Sequence, residues 1–333
     1  MHTSENENIL SVKNLSLKLS AGDSQLSIID DASFDLRKSS TLGLIGESGS
    51  GKSMLCKSII NLLPRGSRLE GNVTFFPDSG KPEELLSLSE DELRSIRGKV
   101  IGFLSQEPGS SMNPVMKCGR QVFDALPKSE RTNKKNGVRQ VLKLLENSGL
   151  KEPEAIANSY PHELSGGMLQ RVALAAALAG KPKILIADEP VTALDASNRT
   201  GLMKLLSRLT EEMGLSLILV SHDIEFVSHW ADDIMVMYFG GIVEFGEVGK
   251  ILTSPAHPYT KALLDLSKSF ISGPMPKSIP GDIPTMEMKI SGCKFHPRCE
   301  FADEVCSTTE PKSEDASHGG KIRCFHPIGV TEN

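Results

Sequence analysis

A glycine-rich run ending in lysine and serine, and two adjacent carboxylates much further along, are the residues whose types and spacing could do chemistry. The run is Gly46, Glu47, Ser48, Gly49, Ser50, Gly51, Lys52 and Ser53, a full match to the pattern G-x-x-x-x-G-K-[ST]. Its glycines let backbone N–H groups point inward at phosphate oxygens, and a helix beginning there adds positive potential. Lys52 can reach the β- and γ-phosphates of a nucleoside triphosphate, and Ser53 can offer a hydroxyl to Mg²⁺. The carboxylates are Asp188 and Glu189, at the end of the stretch from Lys183 to Pro190. Successive side chains of a strand point opposite ways, so the two acids have different jobs. Asp188 suits the Mg²⁺ shell, and Glu189 suits polarising the water that attacks the γ-phosphate.

The elements that must hold these groups are legible around them. Leu42 to Ile45 reads as a buried strand leading into the glycine run, with a helix opening near Gly51. Ser165, Gly166 and Gly167 precede the apolar run Leu169 to Ala179, which places bare backbone donors and a hydroxyl at a helix N-terminus able to receive a phosphate. His222 follows the apolar run Leu217 to Val220, at the C-terminal end of a strand, where open α/β sheets gather their ligands. Ile234 to Phe245 alternates around Gly240 and Gly241 and reads as a hairpin that closes the core. Leu126 to Gly137 is turn-like and rich in Lys and Arg, its basic run Arg131 to Lys135 a solvated loop. Val138, Val141, Leu142 and Leu145 then give helical spacing through Leu150.

Taken in order, these motifs resemble the nucleotide-binding subunit of an ABC transporter, from roughly residue 9 to residue 255. The resemblance implies an α/β P-loop NTPase: a RecA-like core with an antiparallel β-subdomain, spanning residues 1–255, and an inserted helical subdomain at about 107–178 that faces membrane subunits. It implies that Gly46, Ser48, Gly49, Ser50, Gly51, Lys52, Ser53 and Met54 hold ATP, with Gln106 as the Q-loop glutamine. Ser53, Gln106 and Asp188 then hold Mg²⁺. Leu164 to Arg171 becomes the signature, in which Ser165, Gly166, Gly167 and Gln170 meet ATP bound by a partner subunit. Ala193, Leu194 and Asp195 become the D-loop, and His222 the switch histidine. Glu189, His222, Lys52 and Gln106 are the catalytic set. The run Ser110 to Met116 resembles the part that communicates with a permease. One departure is visible: where the family places an adenine-stacking aromatic, this chain has Leu17, Leu19 and the polar stretch Ser20 to Ser24, which implies aliphatic contacts to the base.

After residue 255 the composition turns to Pro, Gly, Ser and charge, and four of the six cysteines fall at Cys293, Cys299, Cys306 and Cys324, spaced C-x5-C-x6-C-x17-C. A cytosolic setting argues for metal or cluster ligation rather than disulfides. The spacing is not the paired C-x2-C of zinc ribbons, and thiolates suit zinc or iron–sulfur. The runs Gly292 to Cys299 and Ile279 to Pro284 resemble the C-terminal extension, here residues 256–333, of the oligopeptide/dipeptide subclass, D-type subunit. That resemblance implies a [4Fe-4S] cluster on the four cysteines, with Zn²⁺ or free thiols as alternatives. His296, His318 and His326 could stand in as zinc ligands and otherwise read as exposed loop residues. Cys56 and Cys118 read as small buried hydrophobes.

A net charge of −5 over 333 residues leaves no nucleic-acid footprint. The apolar runs fall short of the ~20 residues that span a bilayer. Residues 1–8 lack the basic and apolar parts of a signal peptide. The expected location is the cytoplasmic face of the cell membrane, held there by partners. The family implies these as a homologous ATP-binding subunit in a heterodimer, two permeases and an extracytoplasmic binding protein. A soluble non-transport ATPase of this family would carry two cassettes or a long coiled-coil insertion, and neither is present. The full catalytic set disfavours a purely regulatory binding module. Among transporters the alternative to di- or oligopeptide cargo is nickel or a metal chelate.

Overall fold

The structure is a computed structural model that describes residues 7–21, 24–192, 194–272 and 278–329. Its strands are, in chain order, β1 (Asn8–Ala21), β2 (Ser24–Arg37), β3 (Thr41–Ile45), β4 (Ser67–Phe75), β5 (Glu83–Glu84) and β6 (Ile101–Leu104). They continue with β7 (Ile184–Asp188), β8 (Ser216–Ser221), β9 (Asp233–Tyr238), β10 (Gly241–Glu247), β11 (Glu314–Asp315) and β12 (Lys321–Ile322). The chain divides into two compact units, one of residues 1–86 with 219–333 and one of residues 87–218.

Alternation in the first unit builds a half-buried antiparallel sheet. Leu10 and Val12 are fully buried, then the phase slips so that Leu15 and Leu17 are buried next. The slip is a bulge: Asn14 takes φ 50°, Asp31 on β2 takes φ 49°, and the Asn14 amide donates to the Asp31 carboxylate at 2.8 Å. The sheet order is β2, β1, β4, β5. Behind it β3 pairs in parallel with β9, β9 forms the expected hairpin with β10, and β12 and β11 extend that hairpin from the C-terminal segment. Burial on both faces explains the unbroken apolar run of β3.

In the second unit β6 and β7 pair in parallel, and all five residues of β7 are buried. Helices Cys118–Ala125, Lys134–Asn147, Pro153–Asn158 and Gly166–Leu178 share one core, in which Val122, Leu145, Val172 and Ala175 are fully buried. The segment expected to be turn-like is partly helical. Lys128–Arg131 forms one turn, and the next helix starts at Lys134 because the Asn133 side chain accepts from the Asn136 N–H. The buried stripe is Gly137, Val141 and Leu145, and Val138 faces solvent. Cys56 and Cys118 are fully buried as expected, and burial pushes the Cys118 thiol up to about 11. Among the described residues no helix is long and apolar enough to cross a membrane.

Candidate functional site

The glycine run forms a tight cradle between β3 and helix Lys52–Ile59. Gly51 caps that helix at φ 101°, a conformation that favours glycine. Gly46 lies so near the Met237 carbonyl that a Cβ would come within 2.3 Å of it. The Lys52 ammonium curls over the cradle and donates to the carbonyls of Gly46 at 2.8 Å and Glu47 at 2.9 Å. Ser48 and Gly49 are exposed, whereas the Ser50 hydroxyl is buried without a hydrogen-bond partner. Ser53 and Met54 follow on the first helical turn, half-buried. A buried orphan hydroxyl, a buried ammonium and a helix N-terminus within one loop are what a polyphosphate with Mg²⁺ would satisfy, so the residues present fit that ligand. His222 is exposed in the same unit, one residue past the end of β8.

In the second unit the chain leaves the strand between the two acids. Asp188 ends β7 and is 3% exposed, whereas Glu189 turns out of the strand at φ 45°, an uncommon conformation for a non-glycine residue. Its Oε2 accepts from the Thr192 hydroxyl at 2.8 Å and from the Gln106 amide at 3.5 Å. The structure thus brings Gln106, Glu189 and Thr192 together. Thr192 is a residue that motif reading missed, although its place three after the glutamate on a turn is a local signal.

Ser165 caps helix Gly166–Leu178, its hydroxyl accepting from the Met168 N–H at 3.4 Å, and Ser165 and Gly166 are exposed. Gly167 lies beside Leu194, and Asp195 caps helix Ala196–Met213 by accepting from the Asn198 N–H at 3.0 Å. Ala193 lies outside the described residues. Gln170 is 4% exposed and its amide nitrogen has no partner, so it does not share the surface that Ser165 and Gly166 present.

All four tail cysteines are thiols raised in pKa. Burial is the chief cause throughout, and for Cys293, Cys299 and Cys324 the charge of neighbouring thiolates adds to it. Cys324 is pushed up to about 12. The thiols therefore share one neighbourhood, and the Cys293 N–H donates to the Cys306 carbonyl at 2.8 Å. Among the described residues, no three of these sulfurs lie within 4.8 Å of one another. Among the described residues, the ligand atoms lying within 4.8 Å of one another are those of Asp303, Cys306 and His326. His326 is half-exposed and bonded to Asp303 at 2.9 Å, and His296 is half-buried against the Cys293 carbonyl. The expectation of an exposed His318 fails. Its side chain is 3% exposed and bonded to Glu244 at 2.9 Å, because it fills the space beside β10.

A family model described as "ABC transporter" matches residues 29–192, and one described as "Oligopeptide/dipeptide transporter, C-terminal region" matches residues 243–306. A putative peptide import ATP-binding protein of Brucella abortus (strain 2308) is 41% identical over 308 residues, covering 91% of this chain and 90% of that protein. The chain belongs to the ABC transporter family. Oligopeptide transport ATP-binding protein OppD of Escherichia coli (strain K12) is 37% identical over 96% of this chain and 94% of that protein. AppD of Bacillus subtilis (strain 168), described in the same words, is 36% identical over 95% and 96%. A dimeric ATP-binding cassette in a post-hydrolysis state, bound to ADP and Pi, superposes with a TM-score of 0.63 at 28% identity, over 72% of this chain and 98% of that one.

As an ABC ATPase of the oligopeptide/dipeptide type, the subunit carries one contact that no motif announces. Arg298, in the Cys-rich segment, donates to both carboxylate oxygens of Glu47 in the phosphate loop, at 2.6 and 3.1 Å.

Proposed function

We propose that this ABC ATPase powers import of di- or oligopeptides. Two ATP molecules close it head to tail against a homologous subunit, a heterodimer in this reading. Closure moves two permeases, and hydrolysis with phosphate release reopens the pair. The assembly includes an extracytoplasmic binding protein, and this subunit sits peripherally on the cytoplasmic face of the membrane. Residues 1–255 form the nucleotide-binding domain, with its helical part at about 107–178, and 256–333 the extension.

In this reading Lys52, Ser165 and His222 stabilise charge on the transferring phosphoryl group, and Ser53, Gln106 and Asp188 would hold Mg²⁺, which would supply neutralisation of the phosphate charge. Glu189 orients and polarises water, and Ser165, Gly166, Gly167 and Asp195 meet the partner's ATP. The match of residues 243–306 to the oligopeptide/dipeptide region carries the cargo assignment. Cells lacking this subunit should lose uptake of labelled peptides, restored by the wild-type chain. Unchanged peptide uptake with lost nickel–chelate uptake would overturn the assignment.

Cys293, Cys299, Cys306 and Cys324 are proposed to hold a [4Fe-4S] cluster, which would cross-link the tail. Anaerobically purified complex should contain about four irons and four acid-labile sulfides per chain, both lost on Cys299→Ser. One zinc and no sulfide would show a structural zinc site instead, with His326 or Asp303 available to complete it.

A further inference from the structure

Glu47 places a carboxylate inside a loop whose ligand is a polyanion, and the way the fold deals with that charge is specific. Its N–H donates to the Tyr259 hydroxyl at 2.9 Å, its carbonyl accepts from Lys52, and its carboxylate is gripped by the Arg298 fork. The Arg298 side chain is 4% exposed and that of Glu47 19%, so the pair is shielded from water. Arg298 is itself fixed. Its Nε donates to the Pro280 carbonyl at 2.9 Å, Nη1 lies 3.4 Å from the Tyr238 hydroxyl, and the guanidinium sits 5.8 Å from the centre of the Tyr238 ring. Tyr238 packs edge to face with Tyr259 at 4.8 Å and with Phe295 at 5.1 Å, and Tyr259 and Phe295 lie tilted at 5.2 Å, so the three rings form one packed cluster beside it.

We infer that Arg298 is a positioning residue of the phosphate loop: it neutralises and anchors the Glu47 carboxylate, so that the cradle faces ATP in a fixed shape without an opposing charge. The inference rests on residues 46–53 being the polyphosphate site. A bidentate, shielded guanidinium–carboxylate pair is a strong contact, and removing one partner leaves the other charge uncompensated. Here the abandoned charge would face the incoming phosphates. The defect should therefore appear in nucleotide affinity, and removing the orphaned carboxylate should correct it. A contact that only stabilised the tail would not show that rescue.

The test uses the assembled transporter and MgATP, with KM, kcat, fluorescent-nucleotide displacement and thermal midpoint measured for each variant. Arg298→Met should raise KM roughly tenfold, with a smaller effect on kcat, and adding Glu47→Gln should return KM to within about threefold of wild type. Arg298→Lys, which keeps the charge and the packed stem but not the fork, should fall between, and it carries the test if the methionine variant does not fold. A folded Arg298→Met with KM within about twofold of wild type, or a double variant as impaired as the single, would overturn the inference. So would a folded Arg298→Lys with wild-type KM where the methionine variant is lost. Lys52→Ala separates the two readings. If it still binds MgATP normally, the loop assignment fails; if it loses binding while the Arg298 variants behave as wild type, only the anchor fails.

Discussion

Glu189→Gln should lower steady-state ATP hydrolysis by about 10²- to 10³-fold while leaving MgATP affinity within about threefold of wild type. The Glu189 Oε2 accepts from Thr192 and from Gln106, so the carboxylate is oriented before any nucleotide arrives. An amide of equal size keeps an acceptor for the threonine hydroxyl and preserves the turn. What it loses is the negative charge and the basicity that polarise water. Binding is spared because, in the proposed site, the phosphate contacts come from the glycine cradle and Lys52. If hydrolysis is what reopens the pair, the variant should accumulate as an ATP-bound dimer, read by size exclusion with MgATP. Turnover within tenfold of wild type would remove Glu189 from the proposed role.

The parts of this site that local sequence determines were legible, and the parts that distant segments determine were not. The cradle follows from glycines at fixed offsets after an apolar strand, because φ at Gly51 and close approach at Gly46 are backbone requirements that few residues meet. Strand alternation led to the expectation of different settings for Asp188 and Glu189, but the structure separates them by ending the strand at Asp188, with Glu189 at φ 45°. The Asn133 cap was missed because a Lys-rich segment beside Gly137 reads as a turn, although tertiary packing turns that glycine inward.

Arg298 and Glu47 are 251 positions apart, and nothing in the composition around either predicts the other. The same holds for the tail as a whole. Past helix Pro258–Ser272 its Pro- and Gly-rich sequence offers no periodicity to read, yet β12 there pairs with β10 and β11 pairs with β12. Gln170 shows the converse. A motif position expected at a nucleotide surface is buried in the core of its own helix.

Glu244→Leu should lower the thermal midpoint by roughly 6–12 °C, reflecting about 3–4 kcal/mol. Glu244 lies on β10, fully buried, and its carboxylate is completely engaged: Oε1 accepts from the Ala256 N–H at 2.7 Å and the His318 ring at 2.9 Å, and Oε2 from the His257 N–H at 3.0 Å. One side chain therefore pins the start of helix Pro258–Ser272 and the turn before β12 to the same strand. Leucine fills the volume but strands two buried N–H donors and the imidazole, and an unmade buried bond costs more than a made one contributes. Glu244→Gln, which can accept at one position only, should lose about half as much. Adding His318→Leu to Glu244→Leu should cost less than the sum of the two single changes, since it removes one of the stranded partners. Strict additivity, or a midpoint that moves less than about 2 °C in Glu244→Leu, would mean that the tail is held by its other contacts, the Arg323 bonds to Asp31 and the Arg298 fork among them.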